Sequence, residues 1–482
     1  MRDRLPDGFV IKLSDSVRLE DFGHTLVGGA PKSIVYLKAI TERMLEERRL
    51  VVSGKRSAAF ADLLINLGMA HPVADDLPPV DPAQVTYVVP VRDRPSQLDR
   101  LLTSIGRDAI IIVVDDSSRD PSAHARVAKA HGARFISLPT NVGPGRARNA
   151  GLREVITPYV TFVDSDVVVE SDIVTTLLRH FADPKVAMVL PRVLGLYEAH
   201  ETNWIGRYEN SRSSLDLGEL PSLIHPRAVA SWTPGTCLVA RVAALGVGFA
   251  EDLRVGEDVD LGWRLGKQGW RVRYDPSVHV RHDHRTKFVA WIRRKAFYGS
   301  SSSALTTRHP YFVAPALLSP SNIGTIAALL AQRRWSLPVT VGLWAATAAR
   351  NVVKLHRSEH PVRLGASLAT EELALTYIQL MGLLLRHWWP VTVVGCVFSR
   401  RLRRVVGVFA IVDAVLARHW NHVDLDLLHY GLARRLDDLA FGAGAWLGAL
   451  KERSLRTFLP DMRPKRGVKS DKSLATVVRP AR

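Results

Sequence analysis

The chain has 482 residues, of which 47% are hydrophobic and 23% charged, and these proportions are typical of a globular protein with two or more domains. The 65 lysines and arginines outnumber the 47 aspartates and glutamates, and the net charge of +18 favours anionic partners such as a nucleotide, nucleic acid or an anionic membrane surface. Cys237 and Cys396 are too far apart in sequence to suggest a metal motif, and two cysteines exclude a disulfide framework.

Residues 1–75 predict a small separate domain. Residues 9–13 and 17–19 are predicted to pair as a hairpin, followed by a Gly-Gly-Ala-Pro turn at 28–31. Apolar residues at helical spacing predict one helix over 34–45 and another over 60–67 that ends near Gly68. A hairpin followed by helices resembles the winged-helix domain of PqqD type, which binds leader peptides. A docking domain for the next module is the alternative.

A linker and then a regular alternation of strands and helices follow. Residues 71–84 contain four prolines and several acids, and we assign 76–84 as the linker. Strands are predicted at 85–91, 110–114, 135–138 and 160–163, and helices at 97–105, 122–131 and 146–155. This α/β pattern predicts a mixed, mainly parallel sheet with helices on both faces. Ligands bind beyond the carboxyl ends of such strands, so residues that follow the strands are expected to meet at one edge.

Two carboxylates, Asp164 and Asp166, end the apolar run at 160–163. Their spacing lets both approach one hard divalent cation, Mg²⁺ or Mn²⁺, while bound phosphates complete its oxygen shell. A solvated turn with two acids is the alternative for an Asp-x-Asp sequence taken alone.

Five short segments in a fixed order, spread over about 200 residues, resemble the GT-A nucleotide-sugar glycosyltransferases of family 2. The segments are 88–92 (VVPVR), 114–118 (VDDSS), 141–151 (NVGPGRARNAG), 162–166 (FVDSD) and 256–264 (GEDVDLGWR). The resemblance implies a GT-A domain at 85–305, a nucleotide-sugar donor and a divalent cation. The acidic edge argues against nucleic acid as a partner, because carboxylates repel phosphate unless a cation is present.

The resemblance also assigns nucleotide-binding residues. An acid of the Asp115–Asp116 pair contacts the nucleoside, although capping of the next helix is an alternative for either of them. The predicted nucleotide-binding set is Pro90, Arg92, Asp115, Asp116, Arg148 and Asp164. Arg148 either braces the Asp-x-Asp loop or meets the diphosphate.

Glu257 and Asp258 are expected to open a helix. The resemblance makes Asp258 the general base that takes a proton from an acceptor hydroxyl in an inverting, single-displacement transfer, with Glu257 as second choice. A plain acidic helix start is the alternative. His282 is expected to join Asp164 and Asp166 at the metal, although a lone histidine is more often a surface or core residue.

Further candidates surround these motifs. Residues that could cover the diphosphate are Arg293, Arg294, Lys295, Tyr298 and Gly299. Residues that could line an acceptor site, or equally belong to the core, are Trp204, Tyr208, Arg212, His225 and Trp232.

The last third predicts an apolar, basic helical region at 306–455 and a basic tail at 456–482 that is expected to be disordered. Arginines interrupt the apolar runs, and none is a clean span of the roughly 20 residues that a membrane helix needs. Peripheral membrane contact is therefore favoured over spanning. Because residues 1–7 lack the apolar segment of a signal peptide, the expected location is the cytoplasm, with the inner face of the cell membrane included.

The whole chain also resembles the glycosyltransferases of the mycofactocin system, through residues 5–9 (LPDGF), the turn at 28–31, the family 2 segments and the basic tail. That resemblance implies transfer of a hexose, glucose from UDP-glucose, to a small peptide-derived redox cofactor or its precursor. A membrane lipid or cell-wall precursor is the alternative acceptor. A third hypothesis is a scaffold that binds nucleic acid or membrane through charge alone.

Overall fold

The computed structural model describes residues 4–462 and 475–478, apart from residues 171, 227, 229, 311, 421 and 422. The N-terminal part consists of small antiparallel sheets and one long helix. Its elements are β1 (Val10–Leu13), β2 (Arg18–Glu20), β3 (Thr25–Gly28), β4 (Ser33–Leu37), α1 (Ala39–Glu42), β5 (Arg49–Val51), α2 (Lys55–Asn66) and β6 (Ala70–Pro72).

Two expectations for the N-terminal part are wrong. The strands β1 and β2 do not form a hairpin, because β1 pairs with β5 and β6 whereas β2 pairs with β3. Residues 33–37 form the strand β4 instead of the start of a helix, and the β-branched side chains of Ile34 and Val35 are fully buried. The second predicted helix is confirmed by α2. The winged-helix resemblance stays a prediction.

The central part is a mixed sheet. Its elements are β7 (Val85–Val91), α3 (Pro95–Ile105), β8 (Ile110–Asp115), α4 (Pro121–Ala130), β9 (Arg134–Ser137), α5 (Pro144–Leu152), β10 (Tyr159–Val163), β11 (Val167–Val168), α6 (Ile173–Arg179), β12 (Val186–Gly195), α7 (Trp204–Arg212), β13 (Ser222–Leu223), β14 (Cys237–Arg241), α8 (Val242–Leu245), α9 (Glu257–Lys267), β15 (Arg271–His282) and α10 (Phe288–Arg308). The strand order is β11-β15-β12-β14-β10-β7-β8-β9, and β13 pairs with β15.

The predicted alternation of strands and helices is confirmed, and it explains why the acidic segments meet. The strands β10, β7, β8 and β9 run parallel, so the residues after Val91, Asp115 and Val163 emerge at the same edge. Helices cover both faces. Val88 packs against α5, α8 and α9, while its neighbour Val89 packs against α3, α4 and α6, as the alternation of side chains along a strand requires.

Ion pairs and hydrogen bonds of Arg271 and Lys185 attach the N-terminal part to the central sheet. Arg271, at the start of β15, donates hydrogen bonds to Asp62 (2.6 Å), to Asn66 (2.8 Å) and to Asp183 (2.7 Å). Lys185 forms a second ion pair with Asp62 at 3.0 Å. These contacts hold α2 against one end of β15.

The C-terminal part is helical, as expected. Its elements are α11 (Pro320–Ala331), α12 (Ser336–Lys354), α13 (Pro361–Gly382), a π-helical turn (Leu383–His387), α14 (Trp389–Phe398), α15 (Arg400–Trp420) and α16 (Leu427–Lys451). Helix α16 packs so closely on α10 that a Cβ at Gly444 would lie 1.8 Å from the backbone oxygen of Ala296, and one at Gly448 would lie 2.5 Å from that of Ser300. Backbone contact of this kind requires glycine.

Part of the tail is ordered, in contrast to the expectation. Phe458 is buried, and its carbonyl accepts a hydrogen bond from the indole of Trp388. Residues Ala475–Val478 form β16, which adds to the free edge of β4 as an antiparallel strand. The expectation for residues 463–474 and 479–482 lies outside the described residues.

One helical stretch among the described residues, Pro361–His387, is long and apolar enough to cross a membrane by length and composition, although no clean span was expected. Its first half is attached to the N-terminal part. Leu364 and Leu368 pack in one cluster with Ile34, and Glu371 contacts Lys32. One face of α13 is therefore covered by protein along this half.

Candidate active site

The acidic edge of the central sheet lines an open cavity of about 1500 Å³. The C-terminal part closes its other side through residues such as Arg386, His387 and Phe441. Of the residues predicted from sequence, the cavity is lined by Pro90, Arg92, Asp116, Arg148, Asp164, Asp166, Glu257, Asp258 and His282. The five motifs that are separated in sequence therefore converge on one site.

Asp166 lies between a cation and a histidine. Its Oδ2 contacts the guanidinium of Arg94 and lies 3.6 Å from Nε2 of His282. The position of His282 follows from the sheet, because it ends β15 and pairs with Val167, the residue after Asp166. Burial alone would raise the pKa of the Asp166 carboxyl, but His282 and Arg94 outweigh it and hold that pKa below its ordinary value.

Asp164 has a different partner from Asp166, because its side chain pairs with Arg148. Its Oδ1 accepts a 2.7 Å hydrogen bond from Arg148 Nη2. Burial raises the pKa of the Asp164 carboxyl, and the nearby charge of Asp166 adds to the rise. The two acids of the Asp-x-Asp sequence therefore have different environments.

Arg148 is a buried brace. Besides Asp164, its guanidinium donates to Glu257 Oε1 at 2.7 Å and to the carbonyl of Gly235 at 3.1 Å. Only 3% of the side chain is exposed, and both terminal nitrogens of the guanidinium donate to groups of the protein. Of the two roles left open for Arg148, the structure favours bracing over contact with a diphosphate.

Glu257 and Asp258 begin α9, as predicted, and their carboxylates have different hydrogen-bond partners. The chain enters α9 through Gly256 in a left-handed conformation (φ +82°), where a Cβ would also meet Leu305 at 3.1 Å. Glu257 is held by Arg148. The Oδ2 of Asp258 accepts a 2.6 Å hydrogen bond from the backbone N–H of Gly235, and the side chain lines the cavity.

The ionisation of Asp258 suits proton transfer near neutral pH. Burial, together with the adjacent Glu257 carboxylate, raises the pKa of Asp258 to about 7. A general base is most effective when its pKa lies near the working pH. The ionisation of Asp258 therefore favours it over Glu257 as candidate base, and the assignment of the base stays a prediction.

Both acids of the Asp115–Asp116 pair are buried, but only Asp116 lines the cavity. Asp115 is completely buried, accepts a hydrogen bond from the Ser118 backbone at 3.0 Å, and lies 3.3 Å from His124 Nδ1. Asp116 lines the cavity and accepts hydrogen bonds from the backbones of Val142 (2.7 Å) and Gly143 (3.0 Å). Asp116 is therefore the member of the pair that a nucleoside could reach.

Helix α10 presents only part of its predicted set to the cavity. Arg294 and Tyr298, four residues apart, line the cavity, and Arg294 donates a 2.8 Å hydrogen bond to the Tyr298 hydroxyl. Lys295 is turned away and pairs with Glu209 at 2.8 Å, and Gly299 contacts α16. One face of α10 therefore lines the cavity, and the adjacent face packs against the C-terminal part.

Two of the acceptor candidates line the cavity, and two others do not. Trp232 and Arg212 lie on its wall. Tyr208 is buried and donates a hydrogen bond to Asp437 on α16, while Trp204 packs edge to face on Trp291. These two belong to the core, which was the alternative for each of them.

Several lining residues had no signal in the sequence. Arg94 contacts Asp166, and Arg285 lies close enough to Arg94 and Arg294 that burial and these two cations lower its pKa. His124 links Asp115 to the cavity wall, because its Nε2 accepts the backbone N–H of Arg94. Arginine and histidine occur at many places on protein surfaces. Only the positions of these residues in the folded structure therefore identify them as part of the site.

Comparison with known proteins finds similarity over nearly the whole chain. The chain is 38% identical over 478 residues to a pre-mycofactocin glycosyltransferase from Mycobacterium tuberculosis, covering 95% of this chain and 99% of that protein. The model of the family "Glycosyl transferase family 2" matches residues 86–232.

Partial matches accompany it. A poly-beta-1,6-N-acetyl-D-glucosamine synthase from Staphylococcus aureus is 25% identical over 172 residues, which are 34% of this chain and 40% of that protein. A solved mannosyltransferase from Pyrobaculum calidifontis, in complex with GDP-Man and Mn²⁺, is 20% identical with a TM-score of 0.37, covering 64% of this chain and 88% of that one. The end-to-end relative is therefore the match that identifies the family.

Proposed function

This chain belongs to the family of the pre-mycofactocin glycosyltransferase and carries a glycosyltransferase family 2 domain, and from that premise we propose an inverting, metal-dependent hexosyl transfer. The proposed donor is UDP-glucose. The proposed acceptor is a small peptide-derived molecule, the precursor of the redox cofactor that gives the family its name.

The observation that carries the mechanism is the carboxylate of Asp258, which lines the cavity and is held only by backbone N–H groups, beside the arginine-bound Glu257. In the proposed step the Asp258 carboxylate takes the proton of an acceptor hydroxyl as that oxygen bonds to the anomeric carbon. The bond from the anomeric carbon to the diphosphate breaks, and the nucleoside diphosphate leaves with the electron pair. A single displacement of this kind inverts the anomeric configuration. The pKa of about 7 at Asp258 supports this role.

The residues present fit a divalent cation that the nucleotide helps to bind. No group of three or more His, Cys, Asp or Glu side chains surrounds a common point in the described part of the chain. Asp166 and His282 are 3.6 Å apart and form the donor pair, with Asp164 two residues before Asp166. Mg²⁺ is commonly held by one or two carboxylates together with substrate phosphates. When bound, the cation neutralises charge on the departing diphosphate.

Cationic side chains support the proposal of a diphosphate at the same place. Arg94, Arg285 and Arg294 line the cavity around Asp166. Arginine pairs with phosphate through parallel hydrogen bonds. Asp116, whose carboxylate is fixed by the 141–143 loop, is the proposed contact for the nucleoside. Arg92 and Pro90 form the adjoining wall.

A lipid or cell-wall precursor is the second candidate acceptor. The observation that favours it is the large amount of exposed apolar surface on the C-terminal helices that close the cavity. The donor chemistry and the proposed base are the same for both acceptors. The two candidates therefore differ only in what enters the side of the cavity formed by Arg386, His387 and Phe441.

The deciding experiment measures turnover of UDP- and GDP-sugars by the purified protein with Mg²⁺, with Mn²⁺ and with EDTA. The wild type is compared with Asp166→Ala, with Asp258→Asn and with Asp108→Asn, a control at an exposed acid outside the cavity lining. We expect metal-dependent turnover of UDP-glucose that both site variants lose and the control keeps. Turnover that survives in Asp258→Asn, or that ignores EDTA, would contradict the mechanism.

A further inference from the structure

Helices α14 and α15 form a hairpin, Trp389–Trp420, that is apolar on both its inner and its outer side. On the inner side, Val405 and Phe409 are buried in a cluster with α13. On the outer side, Val408, Ile411 and Val415 follow helical spacing, and Ile411 is 65% exposed. A helix that packs only against its own protein requires one apolar stripe. The exposed second stripe of α15 therefore indicates a further contact.

Helix α14 carries an exposed apolar stripe of its own. Val391, Val394 and Phe398 lie at i, i+3 and i+7, and Phe398 is 84% exposed. Large exposed apolar patches mark contact sites for another protein or for a membrane. Both helices of the hairpin therefore present exposed apolar side chains that mark a contact site.

The charge of the hairpin identifies the partner. Residues 388–412 contain four arginines, 400, 401, 403 and 404, and no acid. Arg400 and Arg404 are exposed and make no side-chain hydrogen bond or ion pair with any described residue. The first acid after them, Asp413, is already neutralised by Arg434 and Arg435. Uncompensated arginines beside exposed apolar side chains match an anionic lipid surface.

A second copy of the chain fits less well. A two-fold contact through this hairpin would bring the arginine cluster close to its own copy, and no acid between residues 388 and 412 is present to pair with it. Spanning also fits less well, because α13, the long apolar helix, is held by the N-terminal part through Leu364 and Leu368.

We propose that the α14–α15 hairpin is a lipid-docking surface that lies in the interface of an anionic membrane, with the arginines at the headgroups. Both ends of the hairpin adjoin the active site, since Arg386 and His387, in the π-helical turn just before α14, and Trp420, at the end of α15, line the cavity. Docking would therefore place the cavity beside the membrane surface. The proposal does not depend on which sugar or acceptor the enzyme uses.

The test is flotation of the full-length protein with phosphatidylcholine vesicles, with and without phosphatidylglycerol, at low and high salt. We expect binding only to the anionic vesicles, weakened by salt. The variant Arg400→Glu/Arg404→Glu is expected to lower the bound fraction by at least about tenfold. Phe398→Asp is expected to lower it without a change in surface arginines.

The matched control is Lys55→Glu/Arg56→Glu, which reverses the same number of charges at exposed positions of α2. It is expected to bind as the wild type does. Equal binding by all variants, or no binding by the wild type, would overturn the proposal. So would light scattering that shows a dimer which Phe398→Asp dissociates, because the surface would then belong to a second copy. Donor turnover is measured separately in each variant and reports only on the catalytic proposal.

Discussion

Arg148 donates a 2.7 Å hydrogen bond to Glu257, and this contact separates the two neighbouring acids that begin α9. Glu257 is neutralised by the guanidinium, whereas Asp258 remains directed to the cavity with its pKa raised to about 7. The same guanidinium holds Asp164 at 2.7 Å. One buried side chain thus connects the Asp-x-Asp loop to the proposed base.

Replacing Arg148 should destabilise the protein and abolish turnover. Arg148→Ala leaves Glu257 and Asp164 without their partner, and breaking a buried ion pair from one side costs about 3–5 kcal/mol. Denaturant unfolding measures this loss. The control Arg153→Ala removes an ion pair between exposed groups, with Glu251, and should cost less than about 1 kcal/mol. Equal stability of the two variants would show that Arg148 does not brace the site.

Ionisation of Asp258 should raise the activity and lower the stability of the protein as the pH rises. Activity should fall as the pH drops below about 7, because the base becomes protonated. The folded pKa is raised above the unfolded value, so the contribution of Asp258 to stability is fully present below the unfolded pKa and is lost as the pH rises through about 7. Asp258→Asn should remove this loss of stability. Thermal unfolding between pH 4 and pH 8 measures it, and an unchanged profile in the variant would contradict the shift.

Arg94 should compete with a divalent cation for Asp166. The Oδ2 atom of Asp166 that contacts Arg94 is also the one nearest to His282. Arg94→Ala should therefore strengthen Mn²⁺ binding to the nucleotide-free protein, measured by electron paramagnetic resonance, and weaken UDP binding, measured by calorimetry. Arg119→Ala, at a cavity residue that is almost fully exposed, is the control for loss of charge alone. Weaker Mn²⁺ binding in Arg94→Ala would oppose this account.

The glycines of α16 should be essential for its contact with α10. Gly444→Ala would place a Cβ 1.8 Å from the backbone oxygen of Ala296, and overpacking of this kind costs about 1–3 kcal/mol. Turnover should fall as well, because α10 carries Arg294 and Tyr298 to the cavity. Gly407→Ala has open space around it and should be neutral or stabilising by up to about 1 kcal/mol. Unfolding midpoints compare the two, and similar values would be evidence against close packing.

Much of the central fold and of the site could be predicted from local patterns. The strand at 85–91 and the helix that begins at Glu257 occur where apolar spacing and turn residues place them. The acids after β8 and β10 meet because parallel strands end at one edge of a sheet. These features depend on the order of residues over short distances, and the sequence contains that information directly.

Only the tertiary structure determined which of those residues line the cavity and which are buried elsewhere. Asp115 is buried against His124 while Asp116 reaches the cavity, and Lys295 pairs with Glu209 on α7 and Asp437 on α16 while Arg294 lines the site. The strand β1 pairs with β5 and β6 instead of its nearest neighbour. Each outcome is set by contacts between residues far apart in the chain, where burial and charge compensation outweigh local propensity. By itself the sequence determined the parallel strands and their acidic edge, whereas only long-range packing determined which acid pairs with Arg148, which acid lines the cavity without an ion pair and which helices close the cavity.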